Sequence, residues 1–161
     1  MLKTNASSFL KNDDAAIFAD IKKDLRKRVG RAVELMHRLS TSKVPVWKGT
    51  ALANMQWQAG SPFQGTVEAG GGDKEPGPTN SMRVGSEPRR PENQAIADAS
   101  LDRLNLENPF QIFYLTNNTP HMRRIEFGLP PRDGLKARAP KGVFRLSSFE
   151  VEAQLKAEGL L

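Results

Sequence analysis

"FYLTNNTPHMRRIEFG", residues 113–128, decides the fold. It closes the most strand-like run of the chain, in which Phe110, Ile112, Phe113, Tyr114 and Leu115 follow one another closely. A strand that is apolar on both faces is expected at the centre of a sheet, covered on both sides. The chain then changes period. Asn118 or Thr119 can cap a short helix, Pro120 suits its first turn, and Gly128 can close it in the left-handed conformation. Met122 and Ile125, with Phe127 as a third candidate, turn inward, while Arg123, Arg124 and Glu126 point elsewhere. The stretch thus reads as a strand end, a cap and one short helix.

Upstream, residues 13–39 read as one long helix. Asp13 or Asn12 can cap it, and Ile17, Ile21, Leu25, Val29, Ala32, Met36 and Leu39 recur at spacings of three and four as one apolar stripe. Lys22, Lys23, Arg26, Lys27 and Arg31 fall mainly off that stripe, giving a basic face for solvent, DNA or an acidic neighbour. Pro45 disfavours helix at Val44 and ends the element. Val46–Gly49 reads as a turn. Ala51, Ala53, Met55, Trp57 and Ala59 then share one side of a period-two strand.

Residues 60–91 hold seven of the 13 glycines and five of the 11 prolines. A short strand near 65–69 could form a hairpin with the preceding strand; the rest reads as a long loop. Such loops are usually functional, disordered, or ordered within an assembly. Its mixed charges include Arg83, Arg89 and Arg90. A second helix is expected over 91–105, with Pro91 in its first turn and Ile96, Leu101 and Leu104 as its apolar face. A last helix spans 142–158, its stripe marked by Phe144, Ser148, Val151 and Leu155, with Leu146 and Phe149 beside it. At 161 residues without an internal repeat, one domain is expected, spanning 1–161.

Composition narrows the chemistry. There is no cysteine, which excludes disulfides and thiol chemistry, and the two histidines, His37 and His121, are far apart in sequence. His121 and Glu126 are five residues apart, about 140° around a helix, so they do not face each other. "GGGDKEPG" lacks the Lys-Ser/Thr ending of a phosphate loop. No catalytic, cofactor-binding or metal-ligating set is expected. The net charge of +6 permits nucleic-acid contact without establishing it. No apolar run is long enough for a signal peptide or a membrane span, so a soluble protein made in the cytoplasm is expected.

Three segments in order carry a resemblance: "VPVWKGTALANMQWQAG", "FYLTNNTPHMRRIEFG" and "ARAPKGVFRLS". Together they resemble the tail-completion or neck proteins of long-tailed bacteriophages. Pro45, Val46, Gly49, Leu52 and Gln56-Trp57 match the first motif, with Trp47-Lys48 in place of the family's usual Asp-Thr and Trp57 one place late. Asn117, Asn118, Pro120, Ile125, Glu126, Phe127 and Gly128 match the second, with His121 where an aromatic is common. Ala139, Pro140, Gly142, Val143, Phe144 and Arg145 match the third. The resemblance implies a virion structural protein at the head–tail junction. Its relatives form rings, commonly hexameric, between the tail tube and the head connector, through which genomic DNA passes without sequence-specific binding. It implies an α+β domain, with a small, mostly antiparallel sheet packed by the long N-terminal, middle and C-terminal helices, and no enzyme activity, metal or cofactor. A tail terminator, a head-completion stopper, and a small basic nucleic-acid-binding protein are the alternatives. For a ring subunit, Arg123, Arg124, Glu126, Arg83, Arg89 and Arg90 are the interface candidates; Glu126 can pair with Arg123 in its own chain or reach a neighbour.

Overall fold

The computed structural model describes residues 6–71, 87–130, 139 and 141–161, with side chains described from Asp14 onward. Helix α1 (Ala6–Lys43) is followed by α2 (Thr50–Ala53), β1 (Gln56–Ala59), α3 (Arg90–Asp102), β2 (Phe113–Thr116), α4 (Met122–Glu126) and α5 (Phe144–Ala157). The chain is α+β: helices surround a two-stranded antiparallel sheet in which Gln56 pairs with Thr116 and Ala59 with Phe113. No helix of the described residues is long and apolar enough to cross a membrane.

The core sits at the C-terminal end of α1. Val44, Val46, Ala51, Leu52, Met55, Ala97, Met122 and Val143 are buried together, with Leu115, Ile125, Ala139 and Phe144 packed against them. The connection after α1, helix α2, the start of α5 and the middle of α3 and α4 thus meet at one point. A fully buried large aliphatic side chain contributes about 1.5–3 kcal/mol, so this junction carries much of the hydrophobic stabilisation.

Helix α1 is longer at both ends than residues 13–39. Asn12 and Asp13 lie within it rather than at its start. Its last turn continues through "STSK" because Ser40, Thr41 and Ser42 return their hydroxyls to carbonyls three or four residues back. Thirty-eight residues span about 57 Å at 1.5 Å per residue. A compact domain of this length has a radius of gyration of about 15 Å, so the helix overhangs the body. The expected stripe is therefore only partly covered: Ile17 and Ile21 are 57 and 53% exposed, Leu25, Val29, Ala32, Met36 and Leu39 are half-buried, and the buried apolar residues of the helix, Val33 and Leu35, lie off the stripe.

Other expectations are corrected by what satisfies the backbone. Ala51–Ala53 do not alternate in a strand. They form one helical turn, which starts at left-handed Gly49 and is tied by Asn54 Nδ2 donating to the Thr50 carbonyl, and all three are buried. The segment near 65–69 is not a strand. Side-chain amides replace the missing ladder: Asn54 exchanges two hydrogen bonds with Val67, Asn118 donates to the Phe63 and Gly65 carbonyls, and Asn93 accepts from Gly70. Strand β2 begins later than Phe110 and is not central. With one partner strand it is an edge, and Phe110 and Ile112 are exposed.

The helix faces shift as well. Helix α3 packs through Asn93, Ala97 and Ser100 rather than Ile96, Leu101 and Leu104, because Asn93 and Ser100 bond to the backbone of neighbouring segments. In α5, Ser147 and Leu155 are buried, while Ser148 and Phe149 face solvent. Phe127 also faces outward, where the Arg145 guanidinium lies 5.4 Å above its ring.

Candidate interaction site

Gly49 and Gly142 set the geometry of the site. Gly49 has φ +94°, and a Cβ there would stand 2.0 Å from Asn93 Nδ2. This close approach lets the Pro45–Gly49 turn lie flat against α3. Gly142 has φ +82°, and a Cβ would come within 2.5 Å of the Glu126 carbonyl oxygen. The start of α5 can therefore abut the end of α4, which Gly128 closes with φ +65°.

That contact gives Glu126 its role. Its carboxylate accepts the backbone N–H groups of Val143 and Phe144 at 2.8 Å and of Arg145 at 3.0 Å, and Arg145 Nε adds a fourth bond at 3.2 Å. A helix leaves its first N–H groups without partners in its own ladder; α4 supplies the acceptor for α5. Burial pushes the Glu126 carboxyl up, but these donors outweigh it and hold it below the ordinary glutamate range. Glu126 is thus turned onto its own chain, and its partner is Arg145 rather than Arg123.

Asn117 and Asn118 staple the same region. Asn117 Nδ2 donates to the Ala51 carbonyl at 2.6 Å, and its Oδ1 accepts from the Thr119 hydroxyl at 2.6 Å. Neither Asn118 nor Thr119 caps α4 with its side chain; the Thr119 carbonyl accepts the Met122 N–H, and Pro120 precedes the helix. Ile125 packs on the core.

Between the Pro45–Ala51 turn and α4 lies a cavity of about 400 Å³, lined by Pro45, Trp47, Lys48, Arg124, Ile125 and Leu129 among others. Trp47 and Leu129 are exposed at its mouth. Among the described residues its lining includes no aspartate or glutamate. Among those residues Arg124 bonds only the Pro130 carbonyl, at 2.8 Å. His121 also lines it, and desolvation lowers its pKa, which favours the neutral ring. Lys48 and Arg124 are the basic residues of the lining.

The remaining interface candidates are distributed differently. Arg90 faces inward: Nη1 donates to the Thr41 carbonyl at 3.0 Å, Nη2 to the Val44 carbonyl, and Nε to Glu87 at 2.9 Å. Glu87, 2% exposed, also accepts the Val46 N–H. The pair caps the C-terminal end of α1, where the helix dipole favours a cation. Arg89 is half-buried against Gly71. Arg123 is exposed. Arg83 and Pro140 lie outside the described residues, as does the part of the long loop from 72 to 86.

Trp57 proves to be half of a buried polar pair. Its indole Nε1 donates to His37 Nδ1 at 3.1 Å, and His37 Nε2 lies 2.7 Å from Asp98 Oδ1, which also accepts from Gln94. An indole N–H can only donate, so His37 Nδ1 must accept and the proton sits on Nε2, donating to Asp98. Both ring nitrogens are thereby occupied. Nothing in the sequence around His37 marks this chain, because its members come from three elements; the same holds for Trp47 and Leu129 at the cavity. Among the described residues no group of three or more His, Asp or Glu side chains is placed to hold a metal ion.

Comparison of the chain with family models, with characterised proteins and with solved structures gave no match.

Proposed function

We propose that this chain is a structural subunit of a bacteriophage neck, a tail-completion protein that closes into a ring, hexameric as in the family it resembles. The ring would join the tail tube to the head connector and let genomic DNA pass. One observation carries the reading. The three sequence segments behind the resemblance interlock in space. Glu126 of the second caps the helix opened by Val143–Arg145 of the third, Asn117 of the second bonds Ala51 of the first, and the first and second wall one cavity. Their packing as one unit supports reading the three matches together.

The roles of the individual residues agree. Motif positions Gly49 and Gly142 are the close approaches that bring the segments together, and Glu126 is the cap between two of them. Among the described residues, the cavity mouth and the exposed part of α1 are two surfaces open to partners. The test is a phage in which this gene carries a nonsense codon, grown on suppressing and non-suppressing hosts. Electron microscopy of the non-suppressing lysate should show filled heads and tails that are not joined, and added purified protein should restore infectivity. Normal joined particles from that lysate would remove the proposal.

A further inference from the structure

Two features on opposite ends of the molecule are complementary. At one end, Ile17 and Ile21 lie one turn apart on α1 and are exposed, and Phe18 beside them stacks on exposed Phe110 with ring centroids 5.6 Å apart. At about 100° per residue, Asp14 and Asp24 fall about 40° from the line through Ile17 and Ile21, and Asp20 about 80°. Lys22, Lys23, Arg26 and Lys27 fall about 100–160° away, on the back of the helix. Arg28 lies on the line but is ion-paired with Asp24 at 2.7 Å and donates to the Leu160 carbonyl. The exposed face of this arm is therefore apolar and framed by acids. At the other end is the cavity: apolar walls, Trp47 and Leu129 exposed at the mouth, Lys48 and Arg124 at the rim, and no acidic lining residue among those described.

The arm cannot reach the cavity of its own chain. Ile17 and Lys43 are 26 residues apart in one continuous helix, which is about 39 Å along the axis, and the cavity begins just beyond that far end. We infer that the α1 arm of one copy seats Ile17 and Ile21 in the Trp47–Leu129 cavity of a second copy, with Asp14 meeting Arg124. An amphipathic helix laid in a groove through anchors at i and i+4 is an established mode of recognition. Because the two surfaces differ, the contact is head-to-tail, and repetition gives a ring or a filament rather than a closed twofold dimer. The inference deepens the ring reading above by naming the contact between copies.

The test uses two variants of the full chain. One carries Ile17→Ser with Ile21→Ser, the other Arg124→Glu with Leu129→Ser. All four side chains are exposed or line an open cavity, so circular dichroism and Tm should stay near those of the parent. Sedimentation velocity should show the parent associating at high concentration and each variant weakened by about tenfold or more, equivalent to about 1.4 kcal/mol. A one-to-one mixture retains one intact arm and one intact cavity, so it should form dimers and nothing larger. The inference is overturned if the parent stays monomeric, if the arm variant associates like the parent, or if the mixture of weakened variants forms no dimer. In the phage test above, an arm variant that supports normal particles while the nonsense mutant does not removes this contact and leaves the neck reading standing.

Discussion

Glu126 concentrates several roles in one side chain that is 16% exposed. Loss of a helix cap costs about 0.5–2 kcal/mol, and Glu126→Gln removes the charge and one of the two oxygens that together accept three N–H groups. Glu126→Gln should therefore lower stability at pH 7 by about 1–2 kcal/mol, or Tm by about 2–8 °C for a chain of this size. The pH dependence follows from the sign of the shift. A carboxyl whose folded-state pKa is depressed stabilises fully above its ordinary value, and that contribution disappears as the pH falls through the folded-state value. The gap between parent and Glu126→Gln should begin to close once the pH drops below the ordinary value of 4.5. Urea titrations at several pH values measure it, and a gap that stays constant with pH would show that the carboxylate charge is irrelevant to the cap. A second residue-scale prediction concerns Trp57. Trp57→Phe keeps most of the ring but leaves buried His37 Nδ1 without its donor, which should cost about 1–3 kcal/mol. A change below the error of the urea midpoint would mean that water or a rotated His37 replaces the indole.

At the scale of elements, the ends of the helices decide more than their faces. Arg90 and Glu87 close the C-terminal end of α1 from the first turn of α3 and the residues just before it. Both side chains are almost fully buried. Removing one partner of such a pair leaves the other charge uncompensated and costs about 3–5 kcal/mol. Arg90→Ala should shift the urea midpoint accordingly, and Arg90→Ala with Glu87→Gln should recover part of the loss; if the double variant is no better than the single, the pair acts through its bonds to Thr41 and Val44 alone. This pair shows where sequence reading stops. Apolar spacing located α3 and α5 to within a few residues and the body of α1, which begins seven residues before the expected start, since periodicity is a local property. It could not place Arg90 inside the fold, because the acceptors it satisfies lie over 40 residues upstream. The same limit applies to Ala51–Ala53, where alternation mimicked a strand until Gly49 and Asn54 imposed a turn of helix. It applies to Ser147 over Ser148 in α5, where one residue of phase decides which face is buried. The cap formed by Glu126 lay within a quoted motif, yet its target, the start of α5, was visible only once the chain had folded.

At the scale of the whole molecule, the buried core and the exposed arm occupy different ends. The buried cluster gathers around Val44–Met55, Ala97, Met122 and Val143, whereas the first half of α1 from Asp14 to Asp24 is exposed throughout. Amphipathic spacing at Ile17 and Ile21 promised burial; it could not say that the described residues leave both exposed. Removing residues 1–20 tests this division. The truncated helix keeps Val33, Leu35 and its contacts with α5 and α3. It loses the stack between Phe18 and Phe110, a pair worth about 0.5–1.5 kcal/mol beyond its burial. Tm should therefore fall by no more than about 2–6 °C, with the circular dichroism of the rest unchanged. The association seen for the full chain should be lost to the same extent as in the Ile17→Ser, Ile21→Ser variant. A truncated chain that melts far lower, or fails to fold, would place the arm among the stabilising elements. The exposed isoleucines would then be the outer surface of a structural helix rather than a surface kept for a neighbour.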